Sequence, residues 1–331
     1  MPDFLQALAQ KPFLLADGAT GTNLFAMGLQ SGDAPELWNL DHPERVLSLN
    51  RAFVDAGADL VLTNSFGGNS CRLKLHNAAG RAADINRAAA DIARRAVGGG
   101  DCVVAGSMGP TGELLAPLGA LGADEAVAAF TEQAEALATG GADLLWIETL
   151  SSIEELSAAL TAAAATGLPV ACTLSFDTNG STMMGVTPGG LAEFCRNLRP
   201  RPAAFGTNCG VGPAEVVAAI LSITADSGGG DKLIAKANCG IPEFRDGAIR
   251  YSGTPDIMAD YACLARAAGA AIIGGCCGTT PGHIAKMRAV LDSRPIAPRP
   301  ALAEVEAKLG PVSAGRGARP SAPARQRRRR R

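Results

Sequence analysis

Eight short apolar runs, each followed by a stretch with helical spacing, constrain this 331-residue chain more than any other feature. They are FLLADG (13–18), ADLVLTNSF (58–66), CVVAGSMG (102–109), ADLLWIET (142–149), PVACTLSF (169–176), AAFGTNCG (203–210), KLIAKANCG (232–240) and AAIIGGCC (270–277). LAEFCRNL after the fifth and PAEVVAAIL after the sixth show apolar residues recurring every 3.6 positions. Alternation of this kind favours parallel strands joined by crossover helices, and eight repeats favour a closed (β/α)8 TIM barrel over an open doubly wound sheet. The phrases DAGADLVLTN, TGGADLLWIET and AAGAAIIGGC repeat one helix-glycine-strand transition, and Pro213 and Pro281 stand where a first helical residue is expected.

The chain is rich enough in apolar residues for a large core, 47% against 19% charged. No apolar stretch reaches membrane-span length, and MPDFLQALAQKPF is too short and polar for a secretory signal, so a soluble cytoplasmic protein with no membrane partner is expected. Nine cysteines, an odd number scattered through apolar segments, argue against a disulfide framework and for reduced thiols, some available to a metal. From about Arg294 the composition turns to Pro, Ala, Gly and Arg. We therefore read residues 1–292 as the barrel and 293–331 as a disordered Arg-rich tail. Eight arginines between 316 and 331 leave −10 on the rest of the chain, against −2 for the whole. No aromatic residue interleaves those arginines and the body is acidic, which argues against nucleic acid as a partner.

In such a barrel the active site is built from the C-terminal strand ends. Those positions hold Asp17, Asn64, Ser107, Glu148, Asn208 with Cys209, Asn238 with Cys239, and Cys276 with Cys277. On a regular strand adjacent thiols point to opposite faces, so Gly274, Gly275 and Gly278 are expected to release the backbone and let both sulfurs turn inward. Two such thiols and a third from a nearby strand suit zinc, with a fourth tetrahedral position left open for catalysis. Spacing leaves Cys209 and Cys239 as alternatives for the third, and a vicinal disulfide between Cys276 and Cys277 as a rival arrangement. Cys71, Cys102, Cys172, Cys195 and Cys263 read as packing residues. His283 is expected to contact its own helix start or solvent rather than a metal. Asp17 and Glu148, two carboxylates on one face, point to a cationic group such as an amino-acid ammonium. Beside a thiolate-bound metal they suggest a substrate with both an amine and a sulfur.

Taken together, DGATGT, DAGADLVLTNSF, GSMGPTG, GGADLLWIET, GTNCGVGP, KANCGIP and GGCCGTTPGHI resemble the homocysteine S-methyltransferase family, above all its methionine synthase branch. The resemblance runs in order from about residue 11 to 292. It implies a (β/α)8 barrel, one Zn2+ held by Cys209, Cys276 and Cys277, and homocysteine as the methyl acceptor in methionine biosynthesis. It also implies that Asp17 and Glu148 hold the homocysteine amino group, and that Asn238 lies near metal and substrate. Donors in the family include methylcobalamin, betaine and S-methylmethionine. Trp38 and Phe66 are candidate walls of an aromatic cage for a quaternary ammonium donor, but Gly67 falls where betaine enzymes carry a tyrosine. Methylcobalamin on a separate cobalamin-binding protein is the expected donor. The rival class is a non-catalytic zinc- or thiol-binding barrel.

Overall fold

The computed structural model describes residues 3–225, 229–240, 242–245 and 248–312. Its strands are β1 (Leu14–Leu15), β2 (Leu60–Leu62), β3 (Val103–Met108), β4 (Leu144–Leu150), β5 (Val170–Leu174), β6 (Ala204–Cys209), β7 (Leu233–Ala237), β8 (Pro242–Arg245), β9 (Ala248–Tyr251) and β10 (Ala270–Gly275). All but β8 and β9 form one parallel sheet in the order β1-β10-β7-β6-β5-β4-β3-β2, and Ala16 pairs with Leu60 to close the ring. The expected (β/α)8 barrel is present, with a strand in each of the eight apolar runs.

Strand alternation divides the apolar residues between two cores. Leu62, Ala105, Leu144, Trp146, Ile234 and Ile272 point inward and fill the barrel, joined by Phe4 and Leu8 from the helix Phe4–Gln10 that precedes β1. Their neighbours Val61, Val104, Leu145, Phe205 and Ile273 point outward and are covered by helices. Fully burying one such side chain contributes about 1.5–3 kcal/mol, so each register is strongly fixed.

The repeated glycine-strand phrase has a physical reason. Gly57, Gly141 and Gly269 adopt φ of 90°, 105° and 111°, left-handed values that end the preceding helix at little cost only for glycine. The aspartates that follow two of them stitch neighbouring strands: Asp59 accepts from the Leu15 amide and Asp143 from the Val104 amide, both at 2.8 Å. Pro213 and Pro281 open their helices as expected.

Two features depart from expectation. The antiparallel hairpin β8–β9 is inserted between β7 and its helix Pro255–Ala268. The region assigned to the tail contains the helix Leu302–Leu309, whose Val305 is fully buried in the outer core. A short amphipathic segment, LAEVEAKL, finds an apolar partner surface despite the Pro-rich sequence around it. Residues 313–331, with the arginine run, lie outside the described residues. Among the described residues no helix is long and apolar enough to cross a membrane.

Candidate active site

The inward rows of the barrel change character at their last turn. Two residues beyond inward-facing Ala105, Trp146, Ala171 and Ile234 come Ser107, Glu148, Thr173 and Lys236, and Asn208 stands beside them at the end of β6, all buried. Asn208 organises this layer. Its carbonyl oxygen accepts from the Thr149 amide at 2.9 Å and the Thr173 hydroxyl at 2.7 Å, and its NH2 donates to Thr149 Oγ1 at 2.6 Å.

The next residue on β6, Cys209, has outward parity, yet its φ of +58° turns it toward the barrel mouth. Thr149, beside Glu148 on β4, has φ of +64°. Left-handed backbone costs a non-glycine residue about 1–2 kcal/mol, and the Asn208 bonds hold one of the two positions.

Cys276 and Cys277 converge by a turn. The Thr279 amide donates to the Cys276 carbonyl at 3.1 Å, and Gly278 at φ +79° takes the third position, the geometry of a type II turn. Gly274 and Gly275 act differently from expectation: they stay in β10 and are glycine for lack of room. A Cβ at Gly274 would lie 2.7 Å from that of Ala16, and one at Gly275 only 2.2 Å from Thr279. Cys209 Sγ stands 3.0 Å from Cys276 Sγ and 3.9 Å from Cys277 Sγ, and all three sulfurs lie within 4.8 Å of one another. All are free thiols, with no vicinal disulfide.

Cys239 is not in this cluster. It is buried with its sulfur 3.1 Å from the Gly253 carbonyl and 3.2 Å from His283 Nε2, while His283 Nδ1 meets Thr280 at its own helix start. Asn238, expected near the metal and substrate, stands beside the double cysteine. Its NH2 donates to the Gly210 carbonyl at 2.8 Å and its oxygen accepts from the Cys277 amide at 3.0 Å, so it ties the loop after Cys209 to the double cysteine.

A cavity of about 290 Å3 opens over the thiols, at the small end for ligand sites and suited to an amino acid. Cys209, Cys276, Cys277, Glu148, Ser107 and Lys236 line its depth. Phe25, Glu36 and Phe66 line it elsewhere. Glu148 Oε1 accepts from Ser107 Oγ at 2.5 Å. Asp17 does not line the cavity; Lys236 Nζ donates to its Oδ1 at 2.8 Å and the Leu62 amide to its Oδ2 at 2.7 Å. Trp38, weighed as a cage wall, is packed edge-on against His42 with the Arg45 guanidinium 4.9 Å from its ring, away from the cavity. Glu36 accepts from the Gly67 amide at 2.6 Å, and a Cβ on Gly67 would meet its Oε1 at 3.0 Å.

Burial pushes Glu148 up to about 7, with Lys236 opposing the shift. Burial also raises Asp17, against the pull of Lys236. Asp17 has Lys236 Nζ on one oxygen and the Leu62 amide on the other, two donors that suit its carboxylate form. Burial works against the charge on Lys236, but Asp17, Glu148 and Cys276 outweigh it and leave its pKa raised. Among the thiols, hydrogen bonds with Cys276 and Cys277 hold Cys209 well above the ordinary value. Hydrogen bonds from Cys209 and Cys276, with one from Tyr251, bring Cys277 down to about 3.

Lys236, Glu36 and Tyr251 were missed from sequence. A lysine two positions past inward-facing Ile234, in an apolar run, was a usable signal for the first. Nothing in APELW marked the second.

The barrel is shared with known proteins. The model of the homocysteine S-methyltransferase family matches residues 14–291, and the chain belongs to that family, whose members are methyltransferases. Methionine synthase of Mycobacterium tuberculosis is 31% identical over 307 residues, covering 87% of this chain and 25% of that protein; its Mycobacterium leprae counterpart is 30% identical over the same shares. The chain thus spans about a quarter of the length of these curated relatives. The homocysteine methyltransferase MmuM of Escherichia coli superposes with TM-scores of 0.72 in its oxidised form and 0.70 in its metallated form. Identity is 26%, over 86% of this chain and 98% of that one.

Proposed function

We propose that this chain is a cytoplasmic, zinc-dependent homocysteine S-methyltransferase that forms methionine. The observation that carries the reading is the cluster of three thiols within 4.8 Å at the floor of a small cavity whose wall bears Glu148. The sulfur-only donor set suits zinc: ligands at about 2.3 Å around a tetrahedron sit about 3.8 Å apart, Cys209 and Cys277 are already 3.9 Å apart, and Cys209 and Cys276, at 3.0 Å, would have to separate to receive the ion. Cys209, Cys276 and Cys277 would hold one ion per chain, which when bound lowers the pKa of an added thiol and keeps its sulfur nucleophilic at neutral pH.

The chain's own residues then place the acceptor. Glu148, oriented by Ser107, receives the ammonium of homocysteine, and Asn238 and Asn208 fix the loops that carry the thiols. Transfer forms a sulfur–methyl bond and breaks the donor–methyl bond, whose electron pair stays with the donor, while the acceptor's thiol proton passes to solvent.

Methylcobalamin carried by a separate protein is the donor we favour, from the likeness to methionine synthases. A betaine cage fits poorly, because Glu36 fills the space beside Gly67 and Trp38 faces away. A sulfonium donor such as S-methylmethionine is the second reading, favoured by a carboxylate, Glu36, on the same cavity as Phe25 and Phe66. The test is methionine formation by the zinc-loaded chain from homocysteine and each of methylcobalamin, betaine and S-methylmethionine. Product with methylcobalamin is expected. One zinc per chain with no product from any donor would instead support a non-catalytic zinc- and thiol-binding barrel.

A further inference from the structure

Lys236 is the one part of the cavity floor that the proposed reaction leaves without a task. It stands on β7 in register with Asn208 and Gly274, so its stem enters the barrel interior, and a Cβ on Gly274 would lie 3.1 Å from its Cγ. Only 2% of its side chain is exposed. Its ammonium lies 2.8 Å from Asp17 and 5.7 Å from the centroid of the Trp146 ring, which closes the barrel beneath it. A buried ammonium is tolerated only with a carboxylate partner, and that partner is then no longer free for another cation.

The two carboxylates are therefore not equivalent. Glu148 lines the cavity and accepts a hydrogen bond from Ser107. Asp17 lies behind the wall with one oxygen on Lys236 and the other on a backbone amide. We propose that Lys236 is a positioning residue for Asp17: by holding Asp17 in an internal ion pair, it leaves Glu148 as the carboxylate that receives the acceptor's ammonium. With Glu148 in its carboxylate form, Lys236 makes the net charge of the three groups −1, so a singly charged ammonium neutralises the pocket. This rests on the homocysteine reading above and narrows it. The raised pKa of Lys236 is in keeping with an ammonium that stays charged between these carboxylates.

The test compares binding of homocysteine with that of 4-mercaptobutyrate, which has the thiol and carboxylate but no amine, in zinc-loaded full-length protein. The ratio of the two dissociation constants reports the ammonium contact alone, which a general weakening of the fold does not move. Glu148→Gln is expected to lower the preference for homocysteine about tenfold, the scale of one lost charged hydrogen bond. The double variant Asp17→Asn with Lys236→Met removes the ion pair without stranding a charge. It is expected to keep the preference within about threefold of wild type, even where both thiols bind more weakly. A double variant that loses as much preference as Glu148→Gln overturns the assignment of Lys236 and leaves the methyltransferase reading intact. A wild-type chain that binds neither thiol overturns both. Should the double variant not fold, crystals of the zinc-loaded wild type with homocysteine decide the matter. An ammonium on Glu148 with Lys236 still on Asp17 supports the proposal, and an ammonium bonded to Asp17 overturns it.

Discussion

The two ends of the barrel solve opposite problems with the same residue types. Where the strands begin, carboxylates are spent on structure: Asp59 bonds a strand amide and pairs with Lys11 and Arg288, and Asp143 bonds another and pairs with Arg94 at 2.6 Å. Where they finish, Thr149 and Cys209 adopt left-handed backbone, three thiols crowd together, and Glu148 faces a cavity. Strain and unspent polarity gather at one mouth, while the other is closed by Phe4, Leu8 and ion pairs. A barrel can hold a strained mouth because its stability comes from the interior and the opposite end. Asp17 is the exception, a carboxylate at the reactive mouth that is paired as if it belonged to the other.

Two substitutions should separate the ends most sharply. Cys209→Ser is expected to abolish zinc retention and reduce methionine formation to background while the thermal transition of the metal-free chain stays near wild type. Metal analysis and a melt read both. Retention of stoichiometric zinc would detach the metal from these thiols. Asp143→Ala should do the reverse. It leaves the Val104 amide without its acceptor and removes the ion pair of Arg94, which is about a quarter exposed and keeps its bonds to the Gly141 carbonyl, costing about 1–3 kcal/mol, with zinc content and homocysteine affinity unchanged. Denaturant unfolding of the metal-free chain measures it, and an equal loss of homocysteine affinity would show the ends to be coupled.

The stable end was the more legible in sequence, and chemistry explains why. Strand starts carry Gly-Ala-Asp phrases in which the glycine must be left-handed and the aspartate must meet a backbone amide, so they repeat in recognisable form. Strand ends carry one-off geometry. Nothing in AAFGTNCG shows that Cys209 takes φ of +58°, so residue pattern alone left it equal to Cys239, and the resemblance to a family was needed to choose. Alternation did mark Lys236, since its inward parity follows from Ile234, but a lysine within an apolar run was passed over. The pairing of Asp17 with Lys236 joins residues 219 positions apart and needed the closed ring to be seen. The hairpin β8–β9 had a cue in FRDGAIRY, a strand-turn signal whose central residues 246 and 247 lie outside the described residues. Composition gave no sign of the helix Leu302–Leu309, because eight residues suffice for an amphipathic helix to dock Val305.

The smallest effect concerns how far the reactive end depends on pH. Burial raises Glu148 to about 7, so near neutrality the free protein holds it about half ionised. The ammonium of homocysteine needs the carboxylate form, and 4-mercaptobutyrate does not. Between pH 7 and pH 6 the carboxylate fraction falls roughly fivefold, and the preference for homocysteine over 4-mercaptobutyrate should fall with it, levelling off above about pH 8. Taking the ratio removes the pH dependence of metal–thiol binding, which both ligands share. Stability runs with the same sign of proton demand: a carboxyl raised in the folded state binds protons that the unfolded chain has released, so Glu148 makes the metal-free fold less stable as pH rises from its ordinary value through about 7. Glu148→Gln should flatten both curves together. A variant that flattens the ligand preference but leaves the stability curve unchanged would locate the buried proton on another group at this mouth.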